Sequence, residues 1–356
     1  MSEQIANQNE LQRIAANLHT AKLILEGDLL ANLITHPIRS ALLELKLFDL
    51  SNSLTHLHQA CLAVEHNLFR NENKLAANHN ALASDLAIGA ASLLAGALQV
   101  MPVTAETGVW VKRIEAISQT FVSNRVVDYV TRLQMVTSGQ HAKIRIDKST
   151  TGSLRQFTVY IPGTQQWNPL ASRNPLDVGS AIESAASGST KSAAQKSVLA
   201  AMKQAGIGKN DLVILVGHSL GGIVAANIAS QKQNFKVNGL ITVGSPTTRV
   251  IFDPKIEVLN IGHSDDLVTK LDAAEFRGHM SNTNRFDWLS LTPKQPLEQP
   301  SLLPQHDLAN YRNTAERIDL SENSQLKKIR DFFLSAGAGK ISSQTFEIGR
   351  TPRESQ

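Results

Sequence analysis

Apolar residues follow a helical period through the first 140 residues, where almost no strand pattern occurs. Leu11, Ile14, Leu18 and Leu25 would share one face of such a helix. A heptad seam follows, built from apolar residues and asparagines: Leu54, Leu57, Cys61, Val64, Leu68, Asn71, Leu75, Asn78 and Leu82. The period also predicts an amphipathic helix over residues 114–135. We therefore expect residues 1–140 to form a helical bundle or hairpin.

Short apolar runs alternate with helical stretches from residue 144 onward. Runs such as "QFTVYIPG", "DLVILVGHS" and "KIEVLNIGHS" are nearly continuous in apolar residues, which is typical of strands that helices cover on both faces. Helices are predicted over residues 181–205, 221–230 and 307–334. The alternation predicts an α/β domain over residues 141–340, with a mainly parallel sheet whose first two strands are able to pair as an antiparallel hairpin. Residues 341–356 are expected to form a disordered tail.

Composition narrows the classes of function. Hydrophobic residues make up 42% and charged residues 19% of the 356 residues, so the chain can bury a sizeable core. Its net charge of +4 gives little ground for a nucleic-acid partner. Cys61 is the only cysteine, which excludes an intramolecular disulfide. His56, His58 and His66 lack the carboxylates of a ligand set, and neither a metal nor another cofactor is expected.

Targeting signals are weak. The first residues do not combine a basic start with an apolar stretch, so no ordinary signal peptide is expected. Residues 86–103 approach the length of a membrane span, but they are rich in Ala, Gly and Ser and contain Gln99, which favours a buried or hairpin helix. We expect a protein without an integral membrane span, either cytoplasmic or exported by a route that needs no signal peptide.

A lone serine stands between glycines where a predicted strand meets a helix rich in small residues. Gly217, His218, Ser219, Leu220 and Gly221 match the pattern G-x-S-x-G. In a strand-turn-helix setting, this spacing holds the serine in a strained turn that exposes its hydroxyl at the carboxyl end of the strand. Glycine suits both flanking positions because side chains there would collide with the bend. We interpret Ser219 as a nucleophile.

An activated serine needs an orienting acid, which here should follow a later strand. The predicted strand "KIEVLNIG" is followed by "HSDDLV", where Asp265 and Asp266 both qualify. We favour Asp266, because Asp-x-Val often leads out of a strand end in lipases. Asp265 remains the alternative and Asp272 a weaker third.

The base is expected to be a histidine on a loop beyond the acid. His306 follows the last predicted strand, "RFDWLSLTP", and directly precedes Asp307, a plausible helix N-cap. The order serine, acid, histidine favours His306, with His263 and His279 as rivals. His218 neighbours the serine but should point away from it, and we assign it a structural role.

The oxyanion hole should combine two backbone N–H groups. One is that of Leu220, directly after the nucleophile. The other is expected in the loop "IPGTQQW", where Gly163 permits close approach and the N–H of Thr164 or Gln165 would be the donor.

These residues carry a specific resemblance. Residues from about 157 to 320 resemble the α/β-hydrolase superfamily, and more closely a group of uncharacterised lipase- or esterase-like hydrolases from actinobacteria. The shared motifs are "IPGTQQW", "NPLD", "GHSLGG", "HSDDLVTKLD" and "HDLANY". The resemblance implies a catalytic triad of Ser219, Asp266 and His306.

Two classes of function follow. The leading hypothesis is a serine hydrolase acting on an ester or lipid substrate, or an acyltransferase with the same triad. Hydrolases of this group are often preceded by helical segments similar to the hairpin proteins that type VII secretion exports. Residues 1–140 are compatible in character but lack the Trp-x-Gly turn of those proteins. The second hypothesis is therefore a helical region that binds a secretion partner or another copy of the chain.

Overall fold

The computed structural model describes residues 108–122, 124–137, 142–151, 154–166, 173–185, 191–247, 250–270, 284–293, 304–336 and 339–351. All of these ranges lie in Val103–Gln356, one of the two compact units of the chain. The helical bundle predicted for the first 140 residues falls largely outside them. So do Cys61, the three histidines near it and the apolar stretch 86–103.

A mixed sheet runs through the described residues. Its strands are β1 Val109–Val122, β2 Lys143–Thr151, β3 Leu154–Ile161, β4 Leu212–His218, β5 Lys236–Val243, β6 Glu257–His263, β7 Arg285–Ser290 and β8 Gly339–Arg350. Their order across the sheet is β1-β8-β2-β3-β4-β5-β6-β7. The strands from β3 to β7 are parallel, whereas β1, β8, β2 and β3 pair antiparallel. The predicted fold class is confirmed, including the hairpin of β2 and β3.

Helices cover both faces of this sheet. In the described residues they are α1 Val126–Thr137, α2 Val178–Ala185, α3 Ala193–Gln204, α4 Leu220–Ser230, α5 Leu267–Lys270, α6 Leu308–Leu320 and α7 Ser324–Ser335. One apolar cluster joins α3 and α4 to the sheet, and a second joins α1, α6 and α7 to the opposite face. Residues 213–217 of β4 are buried one after another, because alternate side chains face the two clusters. None of the described helices is long and apolar enough to cross a membrane.

The topology determines where a site can form. Parallel strands β4, β5 and β6 end at the same edge of the sheet, so the loops that follow them converge. Ser219 follows β4, residue 244 follows β5, and residues 264–266 follow β6. A 3₁₀ turn, Pro304–His306, precedes α6 and brings a histidine into the same region.

The N-terminal boundary of this domain differs from the prediction. Residues 109–122 form β1, not the first half of a helix over 114–135, and only α1 from residue 126 onward is helical. Ile114 and Ile117 are three residues apart, as on a helix face, but they are 43% and 40% exposed. Antiparallel pairing with β8 overrides this short helical period. The sheet therefore begins well before residue 141.

The expected disordered tail is also corrected. Gly339–Arg350 form β8, which lies between β1 and β2 rather than outside the domain. This strand buries Ile341, Phe346 and Ile348, but also the polar side chains of Ser343 and Arg350. Because apolar and polar side chains are both buried, the strand lacks the strict alternation of apolar and polar residues that would reveal it in the sequence.

We expect Phe346→Ala to lower the free energy of unfolding by about 3–5 kcal/mol, because it removes a fully buried ring from the core. Ser342→Ala on the same strand is the control, since Ser342 is half-buried and should change stability by less than about 0.5 kcal/mol. Urea denaturation measures both values. Equal, small effects would show that β8 does not belong to the core.

Candidate active site

The backbone makes a sharp turn at Ser219, between the end of β4 and the start of α4. Its φ is 53° and its ψ is −122°, and no other residue except glycine has a positive φ in the described part of the chain. The N–H of Ser219 donates to the carbonyl of Val243 at 3.0 Å, and its carbonyl accepts the N–H of Gly222 at 3.0 Å. The hydroxyl caps no helix N–H. The backbone of Ser219 is thus held on both sides while its side chain remains available.

Two glycines allow this turn to pack against its neighbours. A Cβ at Gly221 would overlap the carbonyl oxygen of Ile161, so the first turn of α4 lies directly on the end of β3. A Cβ at Gly163 would lie 2.9 Å from both the Cβ of Ser219 and the Nδ1 of His218. The loop after β3 therefore contacts the serine turn itself, where the sequence analysis expects an oxyanion donor.

A buried carboxylate and imidazole face each other near this turn. Asp266 is fully buried, and its Oδ2 accepts the Nδ1–H of His306 at 2.7 Å. Its Oδ1 accepts the N–H of Val268 at 2.8 Å. Because Nδ1 carries the proton that Asp266 accepts, the neutral His306 has a bare Nε2. That nitrogen is buried and has no hydrogen-bond partner among the described residues.

The serine and the imidazole lie against the same short stretch of backbone. Ser219 bonds to Val243, and a Cβ at the next residue, Gly244, would lie 3.1 Å from the Nδ1 and Cε1 of His306. The His218 ring also lies against that of His306, with ring centroids 4.6 Å apart and the planes tilted by 32°. The structure therefore pairs Asp266 with His306 and places Ser219 and His306 against the same stretch of backbone.

Tyr311 is a site residue to which the sequence analysis assigns no role, although it ends the "HDLANY" motif. Its hydroxyl donates to the Oδ2 of Asp266 at 2.6 Å and accepts the N–H of His263 at 3.2 Å. Burial and the charge of Asp266 raise the pKa of Tyr311 well above its usual value. It therefore remains a neutral donor. The sequence signal that could have identified Tyr311 is its position one turn into α6, five residues after His306.

Asp266 stays ionised despite its burial. Loss of hydration raises the pKa of Asp266, but the hydrogen bonds from His306, Tyr311 and Val268, and the attraction of the His306 imidazolium whenever that ring is protonated, outweigh it. The net pKa lies below the usual value of an aspartate. A permanent negative charge is thus held on the Nδ1 side of His306.

The other candidate acids occupy different places. The Oδ1 of Asp265 accepts the backbone N–H of Thr292 at 3.0 Å and its hydroxyl at 2.8 Å. Asp265 therefore anchors the loop after β7 and does not bond to His306. Asp272 lies outside the described residues.

The other two described histidines, His218 and His263, already hold hydrogen bonds through their rings. His263 is fully buried, and its two ring nitrogens bond to the Gln305 carbonyl at 2.9 Å and to the Thr314 hydroxyl at 2.8 Å. His218 does not turn away from the site as expected, since its Nε2 bonds to the His306 carbonyl at 3.0 Å. Loss of hydration, together with His306, lowers the pKa of His218 to about 3, too low for a useful base at neutral pH. His279 lies outside the described residues.

The structure distinguishes the oxyanion candidates. The N–H of Gln165 donates to the Leu176 carbonyl at 2.8 Å, so of the two predicted alternatives in this loop Gln165 is not available as a donor. The N–H of Thr164 has no acceptor in the described ranges. Leu220 is the first residue of α4, and its N–H has no acceptor within the helix. Of the three predicted donors, the N–H groups of Leu220 and Thr164 are thus the two without an acceptor in the described residues.

A polar network supports the loop that carries Thr164. Asn174 donates to the side-chain oxygen of Gln165 at 2.9 Å and accepts the N–H of Leu176 at 2.8 Å. Asp177 next to it forms a buried ion pair with Arg350, at the end of β8. The "NPLD" motif thus connects the loop after β3 to the C-terminal strand β8.

No metal site accompanies this arrangement in the part of the chain that is described. No group of three or more His, Cys, Asp and Glu side chains there is arranged to hold a metal ion.

Comparison with known families agrees with the fold. Residues 192–282 match the family described as "PGAP1-like alpha/beta domain", a domain of the α/β-hydrolase type, which indicates a hydrolase of some kind. The match includes β4, Ser219, α4 and Asp266 but ends before His306. The narrower resemblance to actinobacterial lipase-like hydrolases has no counterpart there. Neither the curated proteins nor the solved structures include a match to the chain.

The lowered pKa of His218 predicts how the stability of the protein depends on pH. His218 titrates near pH 3 in the folded protein but near 6.5 when unfolded, so between these values the unfolded chain binds a proton that the folded chain does not. The free energy of unfolding should therefore fall as the pH is lowered from 6.5 to 4.5. His218→Gln should flatten this decline by up to about 1.4 kcal/mol per pH unit.

Denaturant titrations of both proteins at several pH values measure this difference. Parallel curves for the wild type and His218→Gln would contradict a neutral His218 in the folded state.

Proposed function

We propose that this protein is a serine hydrolase that cleaves carboxylic esters through an acyl-enzyme. Ser219 is the nucleophile, His306 the general base and Asp266 the residue that orients His306. The observation that carries this proposal is the bare, buried Nε2 of His306, whose opposite nitrogen is held by Asp266. His306 lies against the same stretch of backbone as Ser219, the serine with positive φ. A histidine held in this tautomer is ready to accept the proton of a hydroxyl.

In the first half of the reaction, Ser219 Oγ attacks the ester carbonyl carbon while its proton passes to His306 Nε2. The resulting imidazolium lies beside the ionised Asp266, which stabilises the positive charge. Collapse of the tetrahedral intermediate breaks the bond to the alcohol oxygen, which leaves with the proton from His306. The acyl group stays on Ser219.

The negative charge on the carbonyl oxygen needs donors during this step. The N–H groups of Leu220 and Thr164 are suited to this role, because neither has an acceptor in the described structure. The N-terminus of α4 begins at Leu220 and adds a favourable dipole. Removing one such donor typically costs about 10²–10³ in kcat.

In the second half, water attacks the acyl-enzyme and His306 takes its proton. The carboxylic acid is released and Ser219 recovers its hydrogen. An acyltransferase would use the same residues with an alcohol or amine in place of water, and product analysis with added acceptor alcohols separates the two activities. A lipid ester is the substrate class favoured by the sequence resemblance.

Partner binding by residues 1–140 stays a prediction from the sequence, because residues 1–107 lie outside the described ranges. The same applies to export without a signal peptide.

A fluorophosphonate probe tests the nucleophile. We expect it to label the wild type, because activated serines react with such phosphonates, and labelling should vanish in Ser219→Ala. Ser264→Ala is the matched control: this half-buried serine lies on the loop after β6 and should leave labelling unchanged. A labelled Ser219→Ala protein, or an unlabelled wild type, would contradict the proposal.

The neighbouring aspartates offer a second test, on hydrolysis of p-nitrophenyl esters. Asp266→Asn should lower kcat by about 10²–10⁴, because His306 loses the charge that holds its tautomer. Asp265→Asn should change kcat by less than about threefold, because asparagine keeps an oxygen acceptor for Thr292. The reverse ranking would assign the acid to Asp265.

A further inference from the structure

Two histidines hold consecutive carbonyls of the turn that carries His306. His218 ends β4, and its Nε2–H donates to the carbonyl of His306 at 3.0 Å. His263 ends β6, and its Nδ1–H donates to the carbonyl of Gln305 at 2.9 Å. A carbonyl only accepts hydrogen bonds, so each contact requires a proton on the named nitrogen. The turn Pro304–His306 is therefore held from two different strands of the sheet.

Ring packing fixes the orientation of both histidines. The His218 ring lies against His306, with centroids 4.6 Å apart. The His263 ring stacks on Tyr311 with centroids 3.8 Å apart and an angle of 5° between the planes. The hydroxyl of Thr314 bonds to the Nε2 of His263 at 2.8 Å, which leaves Nδ1 as the nitrogen that faces the turn. Rotation of either ring would therefore break established contacts.

Burial favours the neutral form of both histidines. Burial lowers the pKa of His218 and of His263 below the usual value of a histidine. A neutral ring suits a position beside a base that becomes positively charged during the reaction, because a second positive charge there would repel it. Each ring commits one nitrogen to a backbone carbonyl of the turn, so their roles differ from the one proposed for His306.

We propose that His218 and His263 are positioning residues that clamp the turn Pro304–His306 and thereby hold the Nε2 of His306 in register with Ser219. This proposal rests on the hydrolase function proposed above. Without the clamp, the bond from His306 to Asp266 still tethers Nδ1, but the backbone that carries the ring is released. A displacement of about 1 Å in a catalytic group can cost on the order of 10² in rate.

Replacing each histidine with asparagine and, separately, with glutamine tests the clamp. The nitrogen of asparagine lies close to the Nδ1 position of histidine, and that of glutamine close to the Nε2 position. His218→Gln should therefore keep the bond to His306, whereas His218→Asn should not reach it. At His263 the order reverses, because there Nδ1 is the donor and asparagine is the replacement that keeps it.

We expect kcat of His218→Gln to exceed that of His218→Asn by about tenfold or more, and kcat of His263→Asn to exceed that of His263→Gln by a similar factor, with KM little changed. Each position thus serves as the control for the other. The same preferred amide at both positions, or equal kcat values within each pair, would overturn the clamp. If the two histidines were merely structural, kcat would follow the thermal stability of the variants and would not show this crossed pattern.

A second pair of variants covers the case in which a histidine variant fails to fold. Thr314→Ser keeps the hydroxyl that bonds to His263, and Thr314→Val removes it with little change in volume. The clamp requires a lower kcat in Thr314→Val than in Thr314→Ser at similar Tm. Equal kcat values in the two variants would count against it.

A measurement without turnover separates this proposal from the hydrolase function. The Nδ1–H of His306, bonded to Asp266, should give a far-downfield proton NMR signal. Its exchange with water should be faster in His218→Asn than in His218→Gln. If wild-type labelling and turnover succeed but the crossed pattern is missing, only the clamp fails. If the wild type neither reacts nor turns over, the hydrolase function fails and the clamp falls with it.

Discussion

The positive φ of Ser219 is the constraint on which the site depends. A non-glycine residue in such a conformation costs on the order of 1–3 kcal/mol, so the surrounding structure must hold it there. Pairing of β4 with β3 and β5 holds one side, and the first turn of α4 holds the other. Gly221 lets that helix lie on the end of β3, and Gly163 lets the next loop reach the serine. The strained turn directs the Ser219 side chain out of the plane of the sheet, at the edge where the parallel strands end.

At this edge of the sheet, three neighbouring histidines differ in tautomer and in hydrogen bonding. His306 has a proton on the side of Asp266 and a bare nitrogen on the other. His218 and His263 each direct a protonated nitrogen at a backbone carbonyl, and burial lowers the pKa of both. Tautomer and burial, rather than residue type, therefore decide which imidazole is able to accept a proton. Tyr311 connects the carboxylate of Asp266 to the ring of His263, because it bonds to the first and stacks on the second.

Sequence reasoning reached the residues whose roles follow from local spacing and chain order. The glycines around Ser219 signal the turn, the Asp-x-Val pattern favours Asp266 over Asp265, and the order of serine, acid and histidine favours His306. It missed features that depend on contacts distant in sequence. The strands β1 and β8 exist because they pair with each other, and Gln165 is excluded as a donor by its bond to Leu176. The inward orientation of His218 follows from the position of a turn 88 residues away, which no local pattern encodes.

A crystal structure of the protein after reaction with a fluorophosphonate would test the central claim most directly. The account predicts phosphorus bonded to Ser219 Oγ, with the phosphoryl oxygen on the N–H groups of Leu220 and Thr164. It also predicts His306 Nε2 within hydrogen-bond distance of a phosphonate oxygen, with His306 Nδ1 still bonded to Asp266. A phosphonate on another residue, or an adduct on Ser219 whose phosphoryl oxygen faces solvent while His306 lies out of reach, would contradict it.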